Sequence, residues 1–529
     1  RVGKEEQIPA EAVRIRYAEP CDPRLGWRRW PYFDRLLDQA PEEVEAAAIT
    51  IRGRQLLPVP TALVPVWVTV RVPAGAAPGD YEGTLTIEAE DGGPVNVPIR
   101  LKVYDHPLPD PKDFRLTHNI YQSPDSVARY YNVPLWSDKH FELMGKSLEL
   151  LAGVGSRVCV LNLVVRAPNL NNTESMVRWI RQSDGSFKYD FTVAERYLDL
   201  FARTVGKPRV LPIYIMDFEG RENEAEPRPV SVFDPATGKL EELPQPPYGT
   251  EENKKFWQPV LAELRQRLEK RGWFDVAMMG HVSYCWSPTK ETAENYKVIW
   301  PDGRWISSCH GYRPQFGGMP VVCNEWVWGC GVLYDPDSNN PRYTTYPRPW
   351  TKTRAGFPIM DLKIWRGGFR DNHPLSAYRA APEGMLQRGL HGLGRLGGDF
   401  WPLPGARPRQ FLHLCDTGHG LGHAINVIAF ISPGPDGAAS NERVEAFREG
   451  VQIAETMAFV RQTLDDKKVQ GELARRAEQL LDERARHYCR VGWNSFEHWL
   501  AFESSGCQER DEQLYALAAE FAKHTAKGP

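Results

Sequence analysis

Hydrophobic and polar positions change rhythm twice along the chain. Between about residues 60 and 105 they alternate. Val66-Trp67-Val68-Thr69-Val70-Arg71-Val72 has period two and stops at Pro73. Tyr81 to Ile87 and Val95 to Val103 alternate again, separated by the Gly92-Gly93 turn. Short alternating strands punctuated by turn residues predict an antiparallel β-sandwich. The stiff stretch His106-Pro107-Leu108-Pro109-Asp110-Pro111 marks its boundary.

Beyond residue 111 helical periodicity alternates with short apolar runs. Helices are predicted over Asp138 to Ala152, Val193 to Arg203 and Glu251 to Arg271, the last stopped by Gly272. Strands buried on both faces are predicted at Val158 to Val165, Arg209 to Met216 and Val276 to Met279. Shorter candidates are Trp305 to Ser308, Pro320 to Cys323, Phe357 to Leu362 and Gly392 to Leu396. Repeated β-then-α units over about 300 residues favour a (β/α)8 TIM-like barrel within an α/β chain. From about residue 442 the pattern turns mostly helical, with Glu442 to Leu464 and Gly471 to Cys489 the clearest segments. The predicted organisation is a β-sandwich over residues 1–110, a barrel over 111–440 and a helical region over 441–529 packed on the barrel.

Composition narrows the partner. The 529 residues carry 65 Lys+Arg against 68 Asp+Glu, a net charge of −3, which argues against the basic face a nucleic-acid binder needs. No apolar run is long enough to span a bilayer. Starting at Arg1, without Met or an apolar signal core, the chain is expected to be a processed or trimmed product. The nine Cys are scattered without a CxxC pair, so mostly free buried thiols are expected. The 17 Trp suggest flat platforms for a ligand.

In a barrel the chemistry sits just past the C-terminal ends of the strands. Asp217 and Glu219 follow one apolar run, His281 another, His310 and Tyr312 a third, and Glu325-Trp326 a fourth with Trp328 beyond. Asp361 lies in a further run, and Arg395, Asp399 and Trp401 close the series. Carboxyl groups interleaved with Trp suit glycoside hydrolysis, in which one carboxyl donates to the leaving oxygen and another group attacks or stabilises the anomeric carbon. Glu325, after Asn324 and beside Trp326 and Trp328, is the expected general acid; Asp399, Asp217 and Glu219 are its candidate partners. Trp401, Arg395, Trp326, Trp328, His281, His310, Tyr312 and Asp361 are the expected sugar contacts. The competing assignments are a rim salt bridge for Glu325, an ion pair with Arg395 for Asp399, and bracing of the Arg221 loop for Asp217 and Glu219. His413, His419 and His423 raise a zinc reading, but no HExxH signature supports it; neither metal nor cofactor is expected.

Several blocks together resemble glycoside hydrolase family 123. They are Trp67-Val68-Thr69-Val70, Pro78 to Thr84, Val127 to Tyr131, Trp136 to Phe141, Met176 to Ile180, Asp184 to Phe191, Gly272 to Asp275, Gly392 to Trp401 and Phe447 to Gln452. The resemblance implies a β-N-acetylgalactosaminidase-type scaffold, secretion or a periplasmic location, and an Asp-Glu catalytic pair shortly after Gly272 to Asp275. Counting without gaps puts Val282 and Ser283 at that pair, and neither can perform its roles. The expected function is therefore a glycoside hydrolase-like enzyme with relocated acid/base carboxyls. Its substrate would be an oligo- or polysaccharide, with amino-sugar glycans among the candidates. The alternatives are a saccharide-binding pseudoenzyme and a polysaccharide lyase using His281, His310 and Tyr312.

Overall fold

The computed structural model describes residues 1–20, 33–44, 50–51, 54–55, 62–88, 90, 92–167, 172–218, 226–283, 287–308, 314–326, 334–346, 360–364, 375–394, 396–401, 429–490, 502 and 504–526. At the N-terminal end β1 (Val13–Pro20) pairs antiparallel with β2 (Phe33–Leu37). A short pair, β3 (Thr50–Ile51) and β4 (Arg54–Gln55), precedes β5 (Val66–Val70), which returns to the other side of β1. β6 (Gly79–Ile87) and β7 (Val95–Val103) form a separate antiparallel hairpin. The alternating run at 66–72 and the two that follow it thus become strands, paired as the period-two pattern requires.

Next come β8 (Ile120–Tyr121), α1 (Pro124–Tyr130), α2 (Asp138–Ala152), β9 (Leu161–Asn162), β10 (Arg178–Arg181), β11 (Phe187–Asp190), α3 (Thr192–Thr204), β12 (Leu211–Phe218), β13 (Val230–Asp234) and β14 (Lys239–Leu243). α4 (Glu251–Arg271), β15 (Ala277–Ser283), α5 (Lys290–Ile299), β16 (Trp305–Ser308), β17 (Gln315–Phe316), β18 (Met319–Trp326), β19 (Met360–Ile364), α6 (Leu375–Leu386), β20 (Gly392–Gly394) and β21 (Leu396–Gly397) complete the middle of the chain. β9, β12, β15, β16, β18, β19 and β20 lie side by side in chain order and all run parallel, while β17 pairs with β18 as an antiparallel spur. Helical crossovers cover such strands, so they must be apolar on both faces. Cys159, Leu161, Leu163, Val164 and Val165 are fully buried accordingly, although only Leu161–Asn162 of the predicted Val158 to Val165 strand is paired as one.

Residues 117–121 meet both margins of this sheet. Thr117 N and Asn119 N donate to His391 O and Leu393 O at 2.8 Å, and Gly398 N donates to Tyr121 O at 2.7 Å. On the other side His118 N reaches Gly155 O at 3.3 Å. The approach on β20 is close: a Cβ at Gly392 would lie 2.0 Å from Thr117 O, so only glycine fits. A four-strand sheet, β11-β10-β13-β14, decorates the parallel one.

After the hairpin β22 (Ser432–Gly434) and β23 (Gly437–Ala439) come α7 (Glu442–Asp465), α8 (Gly471–Arg490) and α9 (Cys507–Ala526). The chain is thus mixed α/β with a helical C-terminal region. Caps explain the helix limits. Ser137 accepts from His140 N at 3.2 Å at the start of α2, Thr250 from Asn253 N at 3.2 Å at the start of α4, and left-handed Gly272 ends α4.

Two buried ion-pair systems fix the outer parts. Arg16 of β1 donates to Glu445 of α7 at 2.8 Å with both side chains buried, while Leu36 N of β2 donates to Ser440 O at 2.8 Å. Burial alone would raise the Glu445 pKa. The Arg16 bond, the Arg448 charge and the Ser440 hydroxyl overcome it and hold the carboxyl below its ordinary range. Arg484 of α8 likewise bridges Glu383 of α6 and, at 2.8 Å, Asp511 of α9. Removing one partner of such a pair leaves a buried charge unmatched. Arg16→Met is expected to cost about 3–5 kcal/mol and to speed amide hydrogen exchange across Val13–Pro20 while leaving α4 unchanged. Wild-type exchange in β1 would show that the pair does not hold this sheet.

Candidate active site

Glu325 lies near the end of β18 and is fully buried. Its carboxyl is held from both sides. Asn119 Nδ2 donates to Oε1, Ser308 Oγ donates to Oε2, and Tyr121 OH donates to Oε2 at 3.1 Å. Behind Tyr121 stands Tyr214, with the two hydroxyls 3.0 Å apart. Strand alternation explains the convergence. Asn119 and Tyr121 share one face of the segment containing β8, Ile306 and Ser308 share one face of β16, and Tyr214 registers with Asn162 and Gly280. A side chain at Gly280 would strike Ile306 at 2.4 Å and approach Tyr214 at 3.0 Å, so the glycine leaves the tyrosine its place. Asn119 and Asn162 are buried, and the Oδ1 atom of each has no hydrogen-bond partner among the described residues.

Register relates Glu325 to other expected positions. Glu325 pairs with Ser308, Ser308 with Val282, and Val282 with Asp217. One row of the sheet therefore carries Asp217, Val282, Ser308 and Glu325. Val282 and Glu325 stand two strands apart in this row, about 10 Å along the sheet. Asp361 and Trp326 fall outside that row: Asp361 registers with Asn324, and Trp326 with Lys363.

Three expected site residues lie elsewhere. Asp399 is fully buried on the side of the segment around β8 that carries Gln122, next to α2. Its Oδ1 accepts from Ser123 N, the N-cap of α1, at 2.6 Å, and Gln122 Nε2 is bound to Met144 O of α2 at 2.9 Å. It is held there, away from Glu325. His281 turns away from the Glu325 face: its Nδ1 accepts from Trp305 Nε1 at 2.9 Å, and its ring packs edge-on against Phe316. Trp401, expected as a platform under a sugar, is fully buried; its indole N–H donates to Ile431 O at 2.9 Å and its ring meets Tyr130 and Tyr131 edge-on. In both cases burial against neighbouring rings outweighs exposure. Glu219, Arg395, His310, Tyr312 and Trp328, and the histidines His413, His419 and His423, lie outside the described residues. So do the side chains of Asp217, Trp326 and Asp361. Among the described residues no cluster of His, Cys, Asp or Glu could hold a metal ion.

The sequence reading missed Asn119, Tyr121, Tyr214 and Ser308. The available signal was polar residues at alternate positions (Asn119 and Tyr121) beside apolar Ile120. Read as a short strand, this pattern places two polar side chains on one face.

The environment of Asp399 raises its pKa. Burial pushes it up to about 7, against the Ser123 N–H, which pulls it down. Oδ2, Ser147 Oγ and Gln122 Oε1 have no hydrogen-bond partner among the described residues, and a proton on Oδ2 supplies a donor to this group. The folded state therefore binds this proton more tightly than the unfolded chain. The associated stability is full below the ordinary value of 3.8 and is lost as pH rises through about 7. Asp399→Asn, which keeps a donor at every pH, is expected to remove this fall of about 4 kcal/mol from a chemical-denaturation profile between pH 4 and 8. An equally steep profile in the variant would place the pH dependence on other groups.

Comparison with known proteins gives a family match over part of the chain and a similar fold over nearly all of it. Residues 121–297 match the family described as "Glycoside hydrolase 123, catalytic domain". That span includes Tyr121, Tyr214 and the Val282-Ser283 position but not Glu325. A family 123 glycoside hydrolase from Clostridium perfringens, studied for glycolipid glycan hydrolysis, has a similar fold. The TM-score is 0.71 at 15% identity, over 98% of this chain and 88% of that one. A GH39 β-xylosidase from Caulobacter crescentus aligns over 65% of this chain and 72% of its own at 11% identity, with a TM-score of only 0.34. A GH2 β-galacturonidase from Eisenbergiella tayi aligns over 74% of this chain and 63% of its own at 12% identity, with a TM-score of 0.31. No curated protein matches the chain.

Proposed function

We propose that this family 123-like chain is a glycoside hydrolase whose acid/base carboxyls have moved away from the family's pair, with Glu325 as the principal one. Its substrate is an oligo- or polysaccharide, with amino-sugar glycans the first class to test. The observation that carries the reading is the cradle of Asn119, Ser308 and Tyr121 around a buried Glu325, in the sheet row that also contains Val282. Asn119 Oδ1 and Asn162 Oδ1 are acceptors suited to sugar hydroxyls or an acetamido N–H. The scaffold is read as a (β/α)8 barrel with an N-terminal sandwich. Seven parallel strands in chain order, and the bonds of residues 117–121 to both sheet margins, support the barrel. Asp217, in the same row as Glu325, is the partner carboxyl this arrangement favours; Asp399, held beside α2, is not.

A second reading has one specific observation in its favour. Counting without gaps from Gly272 to Asp275 puts Val282 and Ser283, neither of them a carboxyl, at the pair the resemblance implies, which suits a saccharide-binding protein without turnover. The lyase reading gains nothing from His281, which is buried away from Glu325. A screen of aryl glycosides and natural oligosaccharides, with and without 2-acetamido groups, separates hydrolysis from binding. Product release is expected, and Glu325→Gln should cut kcat by about 10²–10⁴-fold. Turnover unaffected by the substitution would remove Glu325 from the chemistry. Saccharide binding without any product would leave the binding-protein reading.

A further inference from the structure

Asn162 ends β9 and Asn172 lies on the segment that follows it; both side chains are buried. Their surroundings fix which end of each amide is nitrogen. One terminal atom of Asn172 lies 2.7 Å from Val164 O and 2.8 Å from Glu174 O, and carbonyl oxygens only accept, so it is Nδ2. The other, Oδ1, is met at 3.3 Å by the Ala167 N–H, which only donates. The Asn162 atom 2.9 Å from that oxygen must therefore be Nδ2. Asn162 is left with Oδ1 as the outward end of its amide, buried and without a hydrogen-bond partner among the described residues.

The backbone around the two amides is held in place. Arg166 N donates to Asn172 O at 2.9 Å, Met176 N to Asn162 O at 3.0 Å, and Thr173 N to the buried Asp125 of α1 at 2.9 Å. Arg166 sits in the left-handed region at φ 55°, a conformation that a residue with a side chain keeps only where its surroundings impose it. Asn162 registers with Tyr214 of β12, so the two project from one face of the sheet. That face is the one of the Glu325 site: the Tyr214 hydroxyl lies 3.0 Å from that of Tyr121, and the Tyr121 hydroxyl lies 3.1 Å from Glu325 Oε2.

We propose that Asn162 is a specificity-determining residue of the Glu325 site, with Asn172 as its positioning residue. A free amide turns to meet either a donor or an acceptor. This one does not, because turning it would set Asn162 Oδ1 against Asn172 Oδ1. It therefore selects a saccharide that carries a hydroxyl or an amide N–H where Oδ1 faces it. An analogue without that donor leaves the buried oxygen unpaired and is rejected. The inference rests on the glycosidase reading and deepens it: one position of the substrate is recognised by the proton it donates.

The test is calorimetric binding to the full chain of the methyl β-glycosides of galactose, glucose, N-acetylgalactosamine and N-acetylglucosamine, alongside product release from the matching aryl glycosides. The tightest sugar is then compared with its monodeoxy analogues and, for an acetamido sugar, with the 2-O-acetyl ester that lacks the N–H; these arms separate a hydroxyl from an amide donor. In the wild type, removing one particular donor should weaken binding about ten-fold. Asn162→Leu leaves Asn172 Oδ1 to the Ala167 N–H. In it the parent sugar should bind about ten-fold more weakly and that one analogue no worse than the parent, while every other analogue keeps its wild-type ratio. Asn172→Ala, which frees the amide to turn, should narrow the same ratio alone. A merely structural role would weaken all the sugars alike. Unchanged ratios in folded Asn162→Leu overturn the proposal, and if that variant does not fold, unchanged ratios in Asn162→Ala do so. A wild type that penalises no single deletion also overturns it. Failure to bind any of the sugars overturns it together with the saccharide reading, whereas binding without product counts against hydrolysis and leaves the role of Asn162 standing.

Discussion

A carboxyl group kept out of water in the middle of a parallel sheet is the constraint around which this molecule is arranged. Burying such a polar group is costly unless hydrogen-bond partners meet it. Glu325 finds them on neighbouring strands, in Ser308 of β16 and in Asn119 and Tyr121 of the segment around β8. Each donor must project from the correct face, which fixes the alternation of those strands. Slipping β8 or β16 by one residue would put Ile120 or Ser307 in the place of a partner of Glu325. The sheet register and the orientation of the carboxyl are thus a single specification.

The same rule governs the outer parts. Arg16 does not stabilise α7 merely by attraction; it makes the burial of Glu445 tolerable, and with it the docking of β1 and β2. Arg484 does this twice over, matching Glu383 and Asp511 from two other helices. Buried pairs of this kind contribute little net stability compared with apolar packing but penalise every alternative arrangement. They define where the N-terminal sheet and the last helices sit.

Much of this was legible in the sequence, for physical reasons that differ from element to element. Asp138–Ala152 and Glu251–Arg271 have caps and an apolar face of their own, so their limits could be read directly. The Val158 to Val165 run announced burial but not pairing, because an apolar run says nothing about which of its residues meet a neighbouring strand. Glu325 stood out as an acid at a strand end. Its partners did not, since Asn119 lies 206 residues away and only the assembled sheet brings them together. Strand-end position does not by itself give exposure: Trp401 and His281 are both fully buried. In a sheet covered by helices, half of such side chains point into the covering layer.

The short strand containing Asn119 and Tyr121 also bears on how the protein is made. Ile120 pairs with Leu396, and Ser123 is bound to Asp399, 276 residues away. The strand partners of this segment lie more than 270 residues away, so the chain must bear the entropy of closing a very long loop before the strand is paired. On the ribosome, residues 117–121 emerge early and wait for the arrival of β20 and β21. The Glu325 cradle is therefore among the last features to form, and until then Asn119, Tyr121 and the inner sheet surface are open to capture by chaperones or by another chain.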